Sequence, residues 1–159
     1  MSTFPMTPEG LAKAHAELSH LFHVARPQNV RDIEEARAHG DLKENAEYHA
    51  AKERQGHIDG RIKAAESLIA GADVIDPATL SGDRVVFGAT VTLIDLDNED
   101  GPTVTYQIVG TFESDLDTGK VSYKSPIARA LIGKSEGDEA TVITPGGKRM
   151  YEIVSVEFK

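Results

Sequence analysis

Residues 39–70 read HGDLKENAEYHAAKERQGHIDGRIKAAESLIA, and the spacing of their side chains decides the fold of the first half. Glu44, Tyr48, Ala51, Gln55, Ile58, Ile62, Ala65 and Ile69 follow one another at intervals of four and three. That alternation keeps one stripe of a helix against a single partner along its whole length. The stripe changes character as it runs: Ile58, Ile62 and Ile69 stand at one end, Tyr48 and Glu44 at the other, beside His39-Gly40. The nearest partner is the segment before Gly40, joined by very few residues, so an antiparallel hairpin follows.

Upstream of the glycine the chain also reads as helix. Thr7-Pro8-Glu9 is a start signal, with a hydroxyl N-cap, proline at the first helical position and acid in the first turn. Leu11, Leu18, Leu21 and Ala25, then Val30, Ile33 and Ala36, keep a three-and-four spacing that slips near Pro27. An interior proline costs about 3 kcal/mol and bends a helix, so slip and proline mark the same kink. His39-Gly40 is the stop, and Arg37 and His39 suit the negative end of the helix dipole. A first helix of roughly 32 residues predicts an arm about 48 Å long. So thin an arm is stabilised by its seam and by a docked base rather than by helix propensity.

After Asp76-Pro77 the period becomes two. VVFGATVTLIDL, PTVTYQIVGTF and KVSYK are β-rich; SPIARALIG reads as a short helix, and EATVIT-PGG-KRMYEIVSVEF as a final hairpin. The expectation is an α+β protein: a long antiparallel coiled-coil hairpin over residues 1–76, and an antiparallel sheet with one helix over residues 77–159. The acidic stretches 97–101 and 115–119 read as solvated turns, since neither has the ligand spacing of an EF-hand.

Composition narrows the function classes. The chain has 159 residues, 40% of them hydrophobic and 27% charged, and no apolar run long enough to span a bilayer. MSTFPMTPEG lacks the basic and apolar regions of a signal peptide, and the cytoplasm is the expected location. The absence of cysteine removes disulfides, thiolate metal sites and cysteine nucleophiles. A net charge of -9 argues against gripping nucleic acid through its phosphates, so any work near nucleic acid needs a partner to hold it. All six histidines precede residue 60; they form no HExxH motif and read as helix-surface side chains.

Asp41 and Glu44 admit two readings. Asp-Leu-Lys-Glu is a capping box, in which each side chain accepts from the other residue's amide. It is equally a pair of carboxylates offered at the end of an arm. The two are compatible, because a cap fixes both acids on one turn.

Taken together, MTPEGL, ARPQNV, HGDLKENAEYHAAKE, RIKAAESLIAGADVID, VVFGATVTL, YQIVG, SPIARALIGK and TPGG resemble the bacterial GreA-type transcript cleavage factors over nearly the whole chain. Ala14 stands where that pattern has leucine, and Ala140 where a larger β-branched residue is usual. The resemblance implies an FKBP-like C-terminal domain that docks at the rim of the RNA polymerase secondary channel while the coiled coil enters it. It implies action on nascent RNA in a backtracked elongation complex, contact with DNA only as part of that complex, and no membrane. Asp41 and Glu44 correspond to the acids that help the polymerase's own active centre hydrolyse the RNA, so the protein is a cofactor of cleavage and not an autonomous enzyme.

Two carboxylates are an incomplete site for Mg2+, which prefers octahedral oxygen. Asp41 and Glu44 are therefore expected to hold a shared Mg2+, and orient the attacking water, only within the polymerase complex, with none bound to the isolated monomer. Arg37, Lys43, Asn45, Tyr48, Lys52 and Arg54 are candidates for contact with RNA or polymerase, against the alternative of solvated or paired helix-surface residues. Ser125, Pro126 and Ile127 read first as a helix start and second as a polymerase-docking surface. The alternative function is a secondary-channel regulator that inhibits polymerase without cleavage.

Overall fold

The computed structural model describes residues 3–40, 45–98 and 100–159, in two compact units: 11–72, and 3–10 with 73–159. The first unit is a helical hairpin. Helix α1 (Pro8–His20) begins in the second unit and continues here; it is followed by a π-helical turn (Leu21–Ala25), α2 (Arg26–Ala38) and α3 (Ala46–Ala70). Antiparallel packing is fixed by contacts that pair high numbers with low. Asn45 meets Ala36, Arg54 meets Asp32, Ala51 meets Asn29 and Arg61 meets Glu17.

The α3 stripe packs as its spacing predicts: Ala51, Ile58, Ile62 and Ala65 are buried, with Tyr48, Gln55 and Ile69 partly covered. The opposite strand of the hairpin departs from its sequence pattern. Asn29 is buried at 2% exposure, whereas Val30, the expected seam residue, is 45% exposed. The reason lies one turn upstream. Seam residues Ala14, Leu18, Leu21, Ala25, Asn29, Ile33 and Ala36 contain three successive steps of four, one residue more than a heptad allows. The π turn at Leu21–Ala25 closes on i+5 and absorbs that residue, so the helix re-enters the seam one position early. Pro27 follows the π turn at the start of α2, with helical backbone on both sides of it. Ala14 is fully buried.

In the second unit β1 (Phe4–Met6) pairs with β2 (Ala72–Val74), and the Ile75 amide extends the pair to the Met6 carbonyl at 2.8 Å. The main sheet comprises β3 (Thr90–Asp95), β4 (Val104–Val109), β5 (Lys120–Ser122), β6 (Glu139–Thr144) and β7 (Gly147–Glu157), in the order β5-β4-β3-β7-β6. Its pairings are antiparallel except β4 with β5, which run parallel through the intervening turns at 111–118. Alternation puts Val91, Leu93, Ile108, Ala140, Ile153 and Val156 inward, in one core with helix α4 (Pro126–Leu131), whose Ala128 and Leu131 are fully buried. A bulge between Ser155 and Ile153, opposite Thr92 and Leu93, leaves Val154 as the extra residue, 45% exposed. Among the described residues no helix is long and apolar enough to cross a membrane.

Candidate functional site

The hairpin end is built from the stop of α2 and the start of α3. The His39 amide donates back to Ala36 O at 3.2 Å and the Gly40 amide to Arg37 O at 3.3 Å, closing α2. Gly40 has φ +107, a left-handed conformation that a side chain would strain, which is why glycine ends this helix. Across the connection, Asn45 is the N-cap of α3: its Oδ1 accepts from the Tyr48 amide at 3.0 Å. Its Nδ2 donates to Ala36 O at 2.6 Å, so one side chain caps the second helix and holds the last turn of the first. His39 Nδ1 and Glu47 Oε2 stand 4.0 Å apart across the same connection.

The sequence connecting these pinned ends contains Asp41, Lys43 and Glu44, which lie outside the described residues. The α3 cap expected from Asp41 belongs, for this helix, to Asn45. Asn45 is preceded by a stronger-looking capping pattern, which hides its role in the sequence; its reach to Ala36 needs the tertiary fold. Tyr48, partly buried one turn into α3, sets its ring edge-on to His49 at 5.8 Å between centroids.

The remaining candidates divide between partners. Lys52 Nζ donates to Gln55 Oε1 at 2.9 Å, on the same helix. Arg54 reaches Asp32 across the hairpin at 3.2 Å, and Gln28 donates to the other oxygen of that carboxylate at 2.9 Å. Arg37 is exposed in the last turn of α2. Exposed ion pairs of this kind contribute about 0.2–1 kcal/mol, so Arg54 can exchange Asp32 for another anion at small cost. The buried counterpart is Asn29, whose Nδ2 donates to Ala51 O at 2.9 Å.

In the second unit Ser125 caps α4: its Oγ accepts from the Ala128 amide at 3.3 Å and donates to Ser122 O at 2.7 Å. Pro126 is exposed at the first helical position, and Ile127 packs partly against the core. The acidic turns close on themselves, Asp95 Oδ1 accepting from Asp97 N and Asp115 Oδ1 from Asp117 N. Among the described residues no group of three or more His, Asp or Glu side chains is arranged to hold a metal. Asp41 and Glu44, which lie outside those residues, carry two hard oxygen groups of the type Mg2+ prefers, too few to complete its shell.

Residues 4–74 match the family described as "Transcription elongation factor, N-terminal", and residues 80–158 the family described as "Transcription elongation factor, GreA/GreB, C-term". A transcription elongation factor GreA of Anaeromyxobacter sp. (strain K) is 60% identical over 158 residues, covering 99% of this chain and 94% of the relative. One from Ralstonia nicotianae is 59% identical over 159 residues, covering 99% of each. Among solved structures, GreA factor homolog 1 of Thermus thermophilus is 26% identical with TM-score 0.44, covering 98% of this chain and 99% of its own.

Proposed function

We propose a role in transcript cleavage on this premise: the chain belongs to the GreA/GreB family of transcription elongation factors. It acts with bacterial RNA polymerase that has slid backward and pushed the RNA 3′ end into the secondary channel. The hairpin enters that channel, and Asp41 and Glu44 help the polymerase's own centre hydrolyse the extruded RNA. Water adds to an internucleotide phosphorus, the bond to the upstream 3′ oxygen breaks, and that oxygen leaves as a new, extendable 3′ hydroxyl. The protein is an accessory factor, monomeric and cytoplasmic, with no turnover of its own.

The observation that carries this reading is the acid pair, intact within HGDLKENAEYH and lying in sequence between two helices tied together by Asn45. When bound, Mg2+ supplies activation of the water and neutralisation of charge on the leaving oxygen. Asp41 and Glu44 would hold it through their carboxylate oxygens and would accept hydrogen bonds from the attacking water; polymerase, RNA phosphate and solvent would supply the remaining ligands. Arg37, Asn45, Tyr48, Lys52 and Arg54, together with Lys43 outside the described residues, are the side chains assigned to contact with RNA or polymerase. Ser125, Pro126 and Ile127 belong to the docking surface at the rim.

Purified elongation complexes halted in a backtracked state test this directly. Added protein should release short 3′ fragments and restore elongation. Asp41→Ala and Glu44→Ala should each abolish that release while binding to polymerase survives. Cleavage that persists with both acids replaced overturns the assignment, and inhibition without fragments from the unaltered protein selects the non-cleaving regulator instead.

A further inference from the structure

The large buried side chains of the hairpin stand away from its connecting end. Leu21, Ile58 and Ile62 form the apolar cluster, whereas the buried residues nearer Gly40 are Asn29, Ala36 and Ala51. Small side chains remove little apolar surface from water, so the two helix ends need another tie. Asn45 supplies one, using both polar atoms of its amide. Its Oδ1 accepts from the Tyr48 amide at 3.0 Å, which caps α3, and its Nδ2 donates to Ala36 O at 2.6 Å. That carbonyl also accepts from the His39 amide at 3.2 Å, in the turn that closes α2. The bond to Ala36 is partly buried, where a lower local dielectric strengthens it. The cap alone does not call for asparagine, since aspartate and serine are equally good N-caps. Aspartate, however, has no donor, and serine offers one atom in place of two.

We propose that Asn45 is a positioning residue for cleavage stimulation, acting through Asp41 and Glu44; the inference deepens the function proposed above and rests on it. The segment carrying both acids has its two ends at Gly40 and Asn45. A connection this short has little slack, so the separation of its ends limits where its carboxylates can stand. The Asn45 amide sets that separation by tying the start of α3 to the last turn of α2. Neither acid holds Mg2+ well alone, and two ligands help each other only at a spacing that suits one ion. A misplacement of 1 Å can cost about a hundredfold in rate. Asn45 thus serves the reaction through the acids, in place of a direct contact with RNA or polymerase.

Asn45→Ser and Asn45→Asp in the full chain separate the tie from the cap, because both keep a capping oxygen and lose the amide donor. Helical circular dichroism should match the unaltered protein. Nuclear magnetic resonance without polymerase should find one Asn45 side-chain amide proton of the unaltered protein slow to exchange with water. Both variants should show lower backbone order parameters at His39 and Gly40, with Tyr48 unchanged. In backtracked complexes their maximal cleavage rate at saturating factor should fall about tenfold. The Mg2+ concentration giving half that rate should rise about tenfold, as for other residues that orient metal ligands, while the half-saturating factor concentration stays as it was. Direct contact with RNA or polymerase demands the reverse, a shifted factor requirement at an unshifted Mg2+ requirement, and that result overturns the inference. Variants that keep the full rate, or that leave His39 and Gly40 as ordered as before, overturn it too. Absence of cleavage by the unaltered protein instead overturns the function on which the inference rests.

Discussion

Gly56 and Gly60 stand inside α3, on the exposed side of a helix that has few large side chains to hold it. Leu21, Ile58 and Ile62 are the large buried apolar residues of the hairpin cluster, each contributing about 2 kcal/mol. A helix-interior glycine costs about 1 kcal/mol relative to alanine, so the pair offsets roughly one buried isoleucine. A Cβ at either position meets nothing within 4 Å, and neither has positive φ. Gly56→Ala and Gly60→Ala should therefore each stabilise the hairpin by about 1 kcal/mol, read as a higher midpoint in helical circular dichroism; a lower midpoint would mean the glycines serve a contact. Tyr151 is a second case where one residue sets a property. Burial raises its pKa, and the carboxylate of Asp95, its partner across β3 and β7, adds to the rise. A raised folded-state value favours the folded form while the phenol stays protonated. That contribution is complete below the unfolded value of about 10 and is lost as pH climbs through the folded one. Denaturant midpoints of the unaltered protein should fall above about pH 10, and Tyr151→Phe should fall less steeply; parallel curves would refute this.

At the scale of elements, legibility tracked how local the deciding signal is. The α3 stripe from Tyr48 to Ile69, the stop at His39-Gly40, the Thr7 and Ser125 caps and the β6–β7 hairpin rest on residues within a few positions of each other, and each is found as the pattern predicts. The first strand of the hairpin is different. Nothing in LFHVA announces a π turn, because the extra residue is visible only when the seam is counted against α3. Counting back three from Ile33 selects Val30 over its neighbour, and its apolar side chain reinforces that choice. Asn45 was illegible for the same reason: its partner Ala36 is 9 residues away. The buried Asn29 also has a calculable cost. Its bond to Ala51 O is a neutral hydrogen bond, worth about 1 kcal/mol, in a position where a leucine would bury about 2 kcal/mol of apolar surface. Asn29→Leu should thus raise the melting midpoint of the hairpin by about 1 kcal/mol equivalent, and Asn29→Ala, which removes the bond and leaves a void, should lower it. A leucine variant less stable than the parent would show that the amide sets the helix register.

The whole molecule is acidic, and that decides which partner must supply the grip on RNA. With a net charge of -9 the protein lacks the cationic surface that releases counterions from a phosphate chain, so its affinity for free RNA should be negligible at physiological salt. The cation logic runs the same way. Two carboxylates offer Mg2+ a third of an octahedral shell, and an ion that sheds its water reluctantly gains little from them alone. On the function proposed above, both deficits would be met in one place, a polymerase active centre that supplies RNA phosphate and metal. The expected outcome is a strict conditional: naked RNA incubated with the protein and Mg2+ stays intact, and calorimetric titration of Mg2+ into the protein shows no saturable binding, whereas the same mixture with backtracked complexes releases fragments. Replacing Asp41 and Glu44 by alanine should change the last result and leave the first two as they were. Cleavage of naked RNA would mean that the chain carries a complete catalytic site of its own, and the acid pair would then be only part of it.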